Sequence, residues 1–352
     1  MNQKPPSQRI GYFPQQEAET PKPQPKRRTQ RYASQAVDAA PPKKSVRLPV
    51  RALMLVACAV VFVTSGFLLV RYFANIVVTR RASQQLEQVY AEAIQSTHTP
   101  EPTATAAPAP AVTSAPASTV APLAEPSAAE LWPSQYPSNP SLRVSSVFYE
   151  LQRQNPDIVG WLKIDGVLEE AVVQRDNSYY LTHNALKQRS VTGALFLDES
   201  CDLRTVPSQM LIHGHNMKEG AMFGSLKKYK VKDASFYRAH PFVDFNTIYE
   251  NGRYVIFAVA EVDLRYGKHD YLPFWRDVRF DSAAEFEEYV QKARSLSHYR
   301  CNVDVRPGDR LLTLSTCTGT DDNKRLVIMA RKLRDGEDAL QLNMSILSTD
   351  DR

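Results

Sequence analysis

Two hydrophobic patterns divide this chain. Residues 52–70 are apolar without a single charge, close to the roughly 20 residues that cross a bilayer core, and predict one membrane-spanning helix. Further on, the apolar residues come in short β-prone runs at 210–212, 254–259, 311–314 and 326–330, which have the length and composition of strands. Asn251-Gly252, between the runs 245–249 and 254–259, predicts a hairpin. Ser282 and Glu285 form a capping box for a helix with Phe286, Tyr289, Val290, Ala293 and Leu296 on one face. Residues 147–153 predict an entry helix ahead of Asn155-Pro156. The fold class expected is mainly β, an antiparallel barrel decorated by helices, preceded by a single transmembrane helix.

Between these two regions the composition changes. Residues 81–95 have helical composition and are expected to continue the span as a juxtamembrane helix. Residues 97–129 are almost wholly Ala, Pro, Thr, Ser and Glu, too polar and proline-rich to bury a core, and predict an extended stalk. The expected organisation is a disordered basic tail (1–51), a signal anchor (52–70), a juxtamembrane helix and stalk (71–140), and a folded domain (141–352), long enough for one well-buried core.

Charge fixes the orientation. Up to Arg51 there are 11 basic and 3 acidic residues, so this tail carries +8 of an overall +5 and the remainder carries −3. The excess of Lys and Arg before the span places the N-terminus in the cytoplasm and the folded domain outside the cell, a single-pass plasma-membrane protein. A cleaved signal peptide would have a shorter charged region and a small-residue exit. Because the basic balance belongs to the tail, a nucleic-acid role for the folded domain loses its support.

Against that background the candidate chemistry stands out. Cys317 ends the run Leu311-Leu312-Thr313-Leu314-Ser315-Thr316-Cys317, and Arg325 opens a second apolar run after the turn at 318–323. A third strand, Met210-Leu211-Ile212, leads into His213-Gly214-His215-Asn216. If these strands are neighbours, a thiol, an imidazole and a guanidinium converge. A thiol attacks an amide carbonyl as thiolate, His protonates a leaving amine, and Arg is a permanent donor to a developing oxyanion. His213 and His215 would share one face of a regular strand, so periodicity does not separate them. His183, His240, His269 and His298 have no comparable surroundings and read as structural or solvated. Arg325 as a plain ion-pair partner of Asp321 or Asp322 is the competing reading of that residue. Of the other thiols, Cys58 falls in the apolar span, and only Cys201 and Cys301 could pair outside it. No Cys-x-x-Cys or His-Glu-x-x-His spacing occurs, so neither a metal nor another cofactor is called for.

In these residues the chain resembles the sortase family, class B. Thr313-Leu314-Ser315-Thr316-Cys317 looks like the family's TLxTC signature, Gly214-His215-Asn216-Met217 like the class B histidine segment, and Lys324-Arg325-Leu326-Val327 like its arginine strand. Segments 155–162, 172–181 and 192–198 are similar to the opening strands of class B enzymes, and the resemblance runs from about Ser141 to the C-terminus. It implies a closed sortase barrel with a helix inserted before the Cys-bearing strand, and catalytic roles for His215, Cys317 and Arg325. Ser315, Thr316 and Asn216 are expected to help bind substrate. His213 stands where an aromatic residue is frequent, and the Cys-to-Arg loop is short for the class, which bears on substrate choice. The implied activity is a membrane-anchored cysteine transpeptidase. It would cleave a C-terminal sorting signal of secreted proteins through a Cys317 thioester and pass them to a peptidoglycan precursor amine. Pilin polymerisation, peptide hydrolysis and a non-catalytic stalked binding module are the alternatives.

Overall fold

The computed structural model describes residues 50–97, 127–275, 279–319 and 321–347; the expected tail and most of the expected stalk lie outside these. The chain divides into two units at Ala57–Cys58, and the second, Cys58–Arg352, is compact. In the second, eight strands close into a barrel: β1 (Ile158–Ile164), β2 (Leu168–Val173), β3 (Leu195–Leu197), β4 (Gln209–His213), β5 (Phe242–Thr247), β6 (Arg253–Asp263), β7 (Leu311–Cys317) and β8 (Lys324–Lys332). Their order around the barrel is β1-β2-β3-β4-β7-β8-β6-β5, with β5 pairing back onto β1. Closure leaves no free sheet edge. Among these pairs β2 with β3 and β4 with β7 are parallel; the others are antiparallel.

The helices are α1 (Val50–Thr97), α2 (Ala128–Leu131), α3 (Val147–Gln154), α4 (Ser235–Ala239), α5 (Ala283–Leu296) and α6 (Ala339–Leu347). Helix α3 is the expected entry helix. Helix α5 is the expected helix before the Cys-bearing strand; Ser282 Oγ accepts from Glu285 N at 3.1 Å, and Phe286, Tyr289, Val290 and Ala293 are buried. Helix α5 packs on β6, and β7 is itself buried at every position through Thr316, as expected of a strand covered on both faces.

Three features go beyond the sequence reading. The hairpin joining β5 and β6 forms, but its turn is at Ile248-Tyr249 rather than Asn251-Gly252. Thr247 N donates to Glu250 O at 2.8 Å, and the Thr247 hydroxyl accepts from Tyr249 N and Glu250 N. Packing also begins before Ser141. Trp132 is buried against Phe280 and Phe286, with its Nε1 donating to Asp309 O at 3.0 Å. Finally, α1 is one unbroken helix of 48 residues. Its later face, Ile76, Thr79, Ala82, Leu86 and Tyr90, is buried, and Tyr90 stacks on Trp161 of β1 at 4.2 Å between ring centroids. Residues 50–70 of the same helix are almost entirely exposed, and it is long and apolar enough to cross a membrane.

Candidate active site

Strand directions bring the three candidate side chains together. Because β4 and β7 run parallel, with His213 opposite Ser315, both strands end at the same rim of the barrel. Because β7 and β8 are antiparallel, with Cys317 opposite Arg325, β8 starts at that rim. Cys317 is the exposed end of a strand whose other residues are buried, so its thiol is presented to solvent by a rigid element. His215, Cys317 and Arg325 line one cleft of about 380 Å³, together with Leu181, Trp275 and His213.

The backbone separates the two histidines that periodicity could not. His213 is the last residue of β4, and its Nε2 lies 2.9 Å from Asp198 Oδ2. Gly214 N donates to Ser315 O at 3.2 Å, and the chain then leaves the sheet. Glycine at 214 permits a close approach: a Cβ there would lie 2.4 Å from Leu195 Cδ2 and 2.8 Å from Phe223 Cδ2, so both side chains would have to shift. His215 is held through its carbonyl, which accepts from Phe223 N at 3.0 Å, and through Nε2, 2.8 Å from Leu181 O. A carbonyl only accepts, so Nε2 carries a proton and Nδ1 is the nitrogen left for proton exchange. Gly193 backs the ring: its φ is +59°, and a Cβ would sit 2.4 Å from Tyr180 O and 3.1 Å from His215 Cδ2.

Asn216, expected to touch substrate, donates from Nδ2 to Cys317 O at 2.9 Å, tying the histidine loop to the end of β7. Ser315 and Thr316 line the cleft but are buried, and Thr316 Oγ1 makes no hydrogen bond. Arg325 Nη1 donates to Asp322 O at 2.7 Å and to Lys324 O at 3.0 Å; these backbone contacts fix the guanidinium plane. Of the two expected rival partners, Asp321 pairs with Arg265 at 3.2 Å instead, and Asp322 meets Arg325 through its backbone carbonyl. Cys201 and Cys301 are free and buried, and burial pushes both thiols up to about 12, so they are poor nucleophiles.

The Asp198 contacts were not singled out from the sequence. Asp198 is buried, which alone would raise its carboxyl; hydrogen bonds from His213 and from the Ser200 hydroxyl and amide outweigh that and hold it down at about 2. Asn177 Nδ2 adds a further donor at 3.0 Å. A folded-state pKa below the unfolded one stabilises above the unfolded value, and the benefit is lost as pH falls through the folded one. Asp198→Asn should therefore cost about 2 kcal/mol at pH 7. In urea unfolding series the gap between variant and parent should narrow between pH 4 and pH 2; a gap that stays constant would remove this account.

Cavity size does not locate the chemistry. A larger hollow of about 770 Å³ lies near Arg331 and Phe257, towards the barrel end where β7 begins. Its guanidinium groups on Arg331 and Arg334 are engaged with Glu337, Asp304 and Asp309.

Residues 162–333 match the family model described as a Sortase domain. Sortase B of Listeria monocytogenes is 36% identical over 187 residues, covering 52% of this chain and 72% of that protein. The chain belongs to the sortase family, class B. Sortase B of Staphylococcus aureus is 26% identical over 191 residues, covering 53% of this chain and 75% of that one. A Bacillus anthracis crystal structure described as similar to sortase B superposes with a TM-score of 0.52 at 26% identity, over 75% of this chain and 98% of that one. The closed barrel with helices before β1 and before β7 is thus the class B sortase fold, and the sortase family is one of cysteine transpeptidases.

Proposed function

We propose that this sortase is anchored in the plasma membrane by residues 52–70, with its tail in the cytoplasm and its barrel outside. There it cleaves a C-terminal sorting signal of secreted proteins and transfers them to a peptidoglycan precursor amine. In the first half-reaction the Cys317 sulfur attacks a backbone carbonyl carbon of the signal, the C–N bond breaks, and His215 gives a proton to the departing amine. In the second, the acceptor nitrogen attacks the thioester, the C–S bond breaks, and His215 takes the proton back. Arg325 donates to the oxyanion or to the substrate backbone from Nη2 and Nε, the nitrogens not engaged by Asp322 O and Lys324 O. Asn216 acts through Cys317 as a positioning residue. The observation that carries this reading is the shared cleft of His215, Cys317 and Arg325 at one barrel rim.

The test incubates the full chain in detergent with a panel of signal peptides, with and without a small amine. The expected result is a covalent adduct on Cys317 and a product redirected to the amine. Full-rate cleavage that ignores amine would make the protein a hydrolase. Use of a lysine side chain as acceptor would make it a polymerising sortase. Binding unaffected by Cys317→Ala, with no adduct, would make it a non-catalytic module. Arg325→Lys should lower turnover by on the order of 10-fold or more, because a point charge does not replace the planar fork.

A further inference from the structure

Helix α1 passes without a break from a stretch exposed on all sides to one clamped against the barrel. Tyr72, two residues past Val70, donates from its hydroxyl to Glu219 at 3.2 Å. Thr79 bonds Ser190 at 2.5 Å, and Ser83 donates to Glu170 at 2.7 Å. At a rise of about 1.5 Å per residue, the barrel is first met within about 3 Å of the end of the span. Phe73, Val77 and Val78 remain exposed opposite the clamped face.

The part of the barrel met first is the rim that carries the cleft. Glu219 follows His215 by four positions. Ser190 leads into Gly193, which backs the His215 ring, and the Leu181 carbonyl holds that ring from the other direction. Around this seam Leu181 and Val191 are exposed at 40% and 48%. Lys218 and Lys227 are exposed, and Lys227 Nζ donates to Lys218 O at 3.3 Å, so the two residues are neighbours on one lip. They run against the −3 carried by the chain beyond Arg51; Glu219 is the acidic group among them and is hydrogen-bonded to Tyr72. Apolar side chains beside lysines, continuous with a lipid-length apolar helix, match the composition of a surface that settles into anionic headgroups.

We propose that the lip formed by Leu181, Val191, Lys218 and Lys227 rests in the headgroup layer of the outer leaflet, holding the Cys317 cleft at the membrane surface. This rests on the reading that α1 crosses the bilayer. The distance from membrane to cleft is then set by α1 itself and not by the proline-rich segment after it. The enzyme would take its peptides from the membrane surface rather than from deeper in the wall.

The experiment reconstitutes the full chain in nanodiscs of phosphatidylglycerol and phosphatidylcholine, with a photoreactive phenylalanine analogue placed at Phe62, Val191, Lys218 or Asp335. Asp335 is exposed just beyond the far end of β8. Lipid adducts, read by mass, are expected at Phe62, Val191 and Lys218 and not at Asp335. No adduct at Phe62 would overturn the span itself. Adducts at Phe62 with none at Val191 and Lys218, or equal adducts at Asp335, would overturn the lip proposal and leave the span standing. The double variant Lys218→Glu, Lys227→Glu, checked for unchanged melting in detergent, should cut the Val191 yield several-fold in anionic discs; an unchanged yield would remove the electrostatic half of the proposal.

Discussion

Cys317→Ala should leave the barrel as stable as the parent and abolish transfer. The side chain is exposed at the end of β7, so its loss falls in the class of surface changes worth within about 0.5 kcal/mol. Chemistry, by contrast, loses the sulfur that forms the acyl intermediate, a drop on the order of 10⁴-fold or more. His215→Ala should cost nearly as much, and the two changes together little more than either alone, because the pair acts as a unit. Melting curves and adduct mass measured on the same preparations check both halves. Cleavage persisting in Cys317→Ala would refute Cys317 as the nucleophile.

The largest loss of stability is expected far from the cleft. Arg331 has no solvent exposure at all. Its Nη1 and Nη2 meet Glu337 at 2.6 and 2.5 Å, its Nε donates to Asp304 O at 2.6 Å, and Nη1 also reaches Lys332 O at 3.1 Å. Arg331→Met fills much of the volume but removes both guanidinium contacts to Glu337 and a donor from each of the Asp304 and Lys332 carbonyls, leaving Glu337 and Asp304 only their weaker contacts to Arg334. Breaking a buried, hydrogen-bonded charge pair from one side costs about 3–5 kcal/mol, and the low end is expected here because Glu337 is partly exposed and keeps the Arg334 amide. Urea unfolding should show that loss, while turnover per folded molecule stays near the parent because β7 and β8 separate Arg331 from Arg325. A loss below about 1 kcal/mol would mean that the Glu337 and Asp304 groups rehydrate freely.

Much of the barrel was legible because β4, β6, β7 and β8 are buried along most of their length, which writes them as apolar runs, and because the capping box before α5 is a local signal. The convergence of Cys317, His215 and Arg325 required one non-local fact, the parallel pairing of β4 with β7, which strand propensity does not supply. The choice between His213 and His215 was invisible to periodicity. It is made by the chain leaving the sheet at Gly214, under contact with Leu195 and Phe223 that lie 19 and 9 positions away. The clamped face of α1 was missed for a similar reason: Ile76, Thr79, Ala82, Leu86 and Tyr90 are interspersed with charges and follow an all-apolar stretch, so their stripe carries little contrast. The turn at Ile248-Tyr249 prevailed over Asn251-Gly252 because the Thr247 hydroxyl takes up two backbone amides, a side-chain effect outside the dipeptide rule.

Trp132 and Tyr90 have a joint consequence for the segment between them. Both ends of residues 98–126 are fastened to the same barrel, one through the Tyr90–Trp161 stack and the other through the Trp132 pocket. A protease that nicks this segment would therefore leave two fragments bound to each other, separable only under denaturing conditions. Duplicating or trimming the segment would change loop-closure entropy by only about 0.6 kcal/mol per doubling of length, so its length can change with little effect on the stability of the barrel.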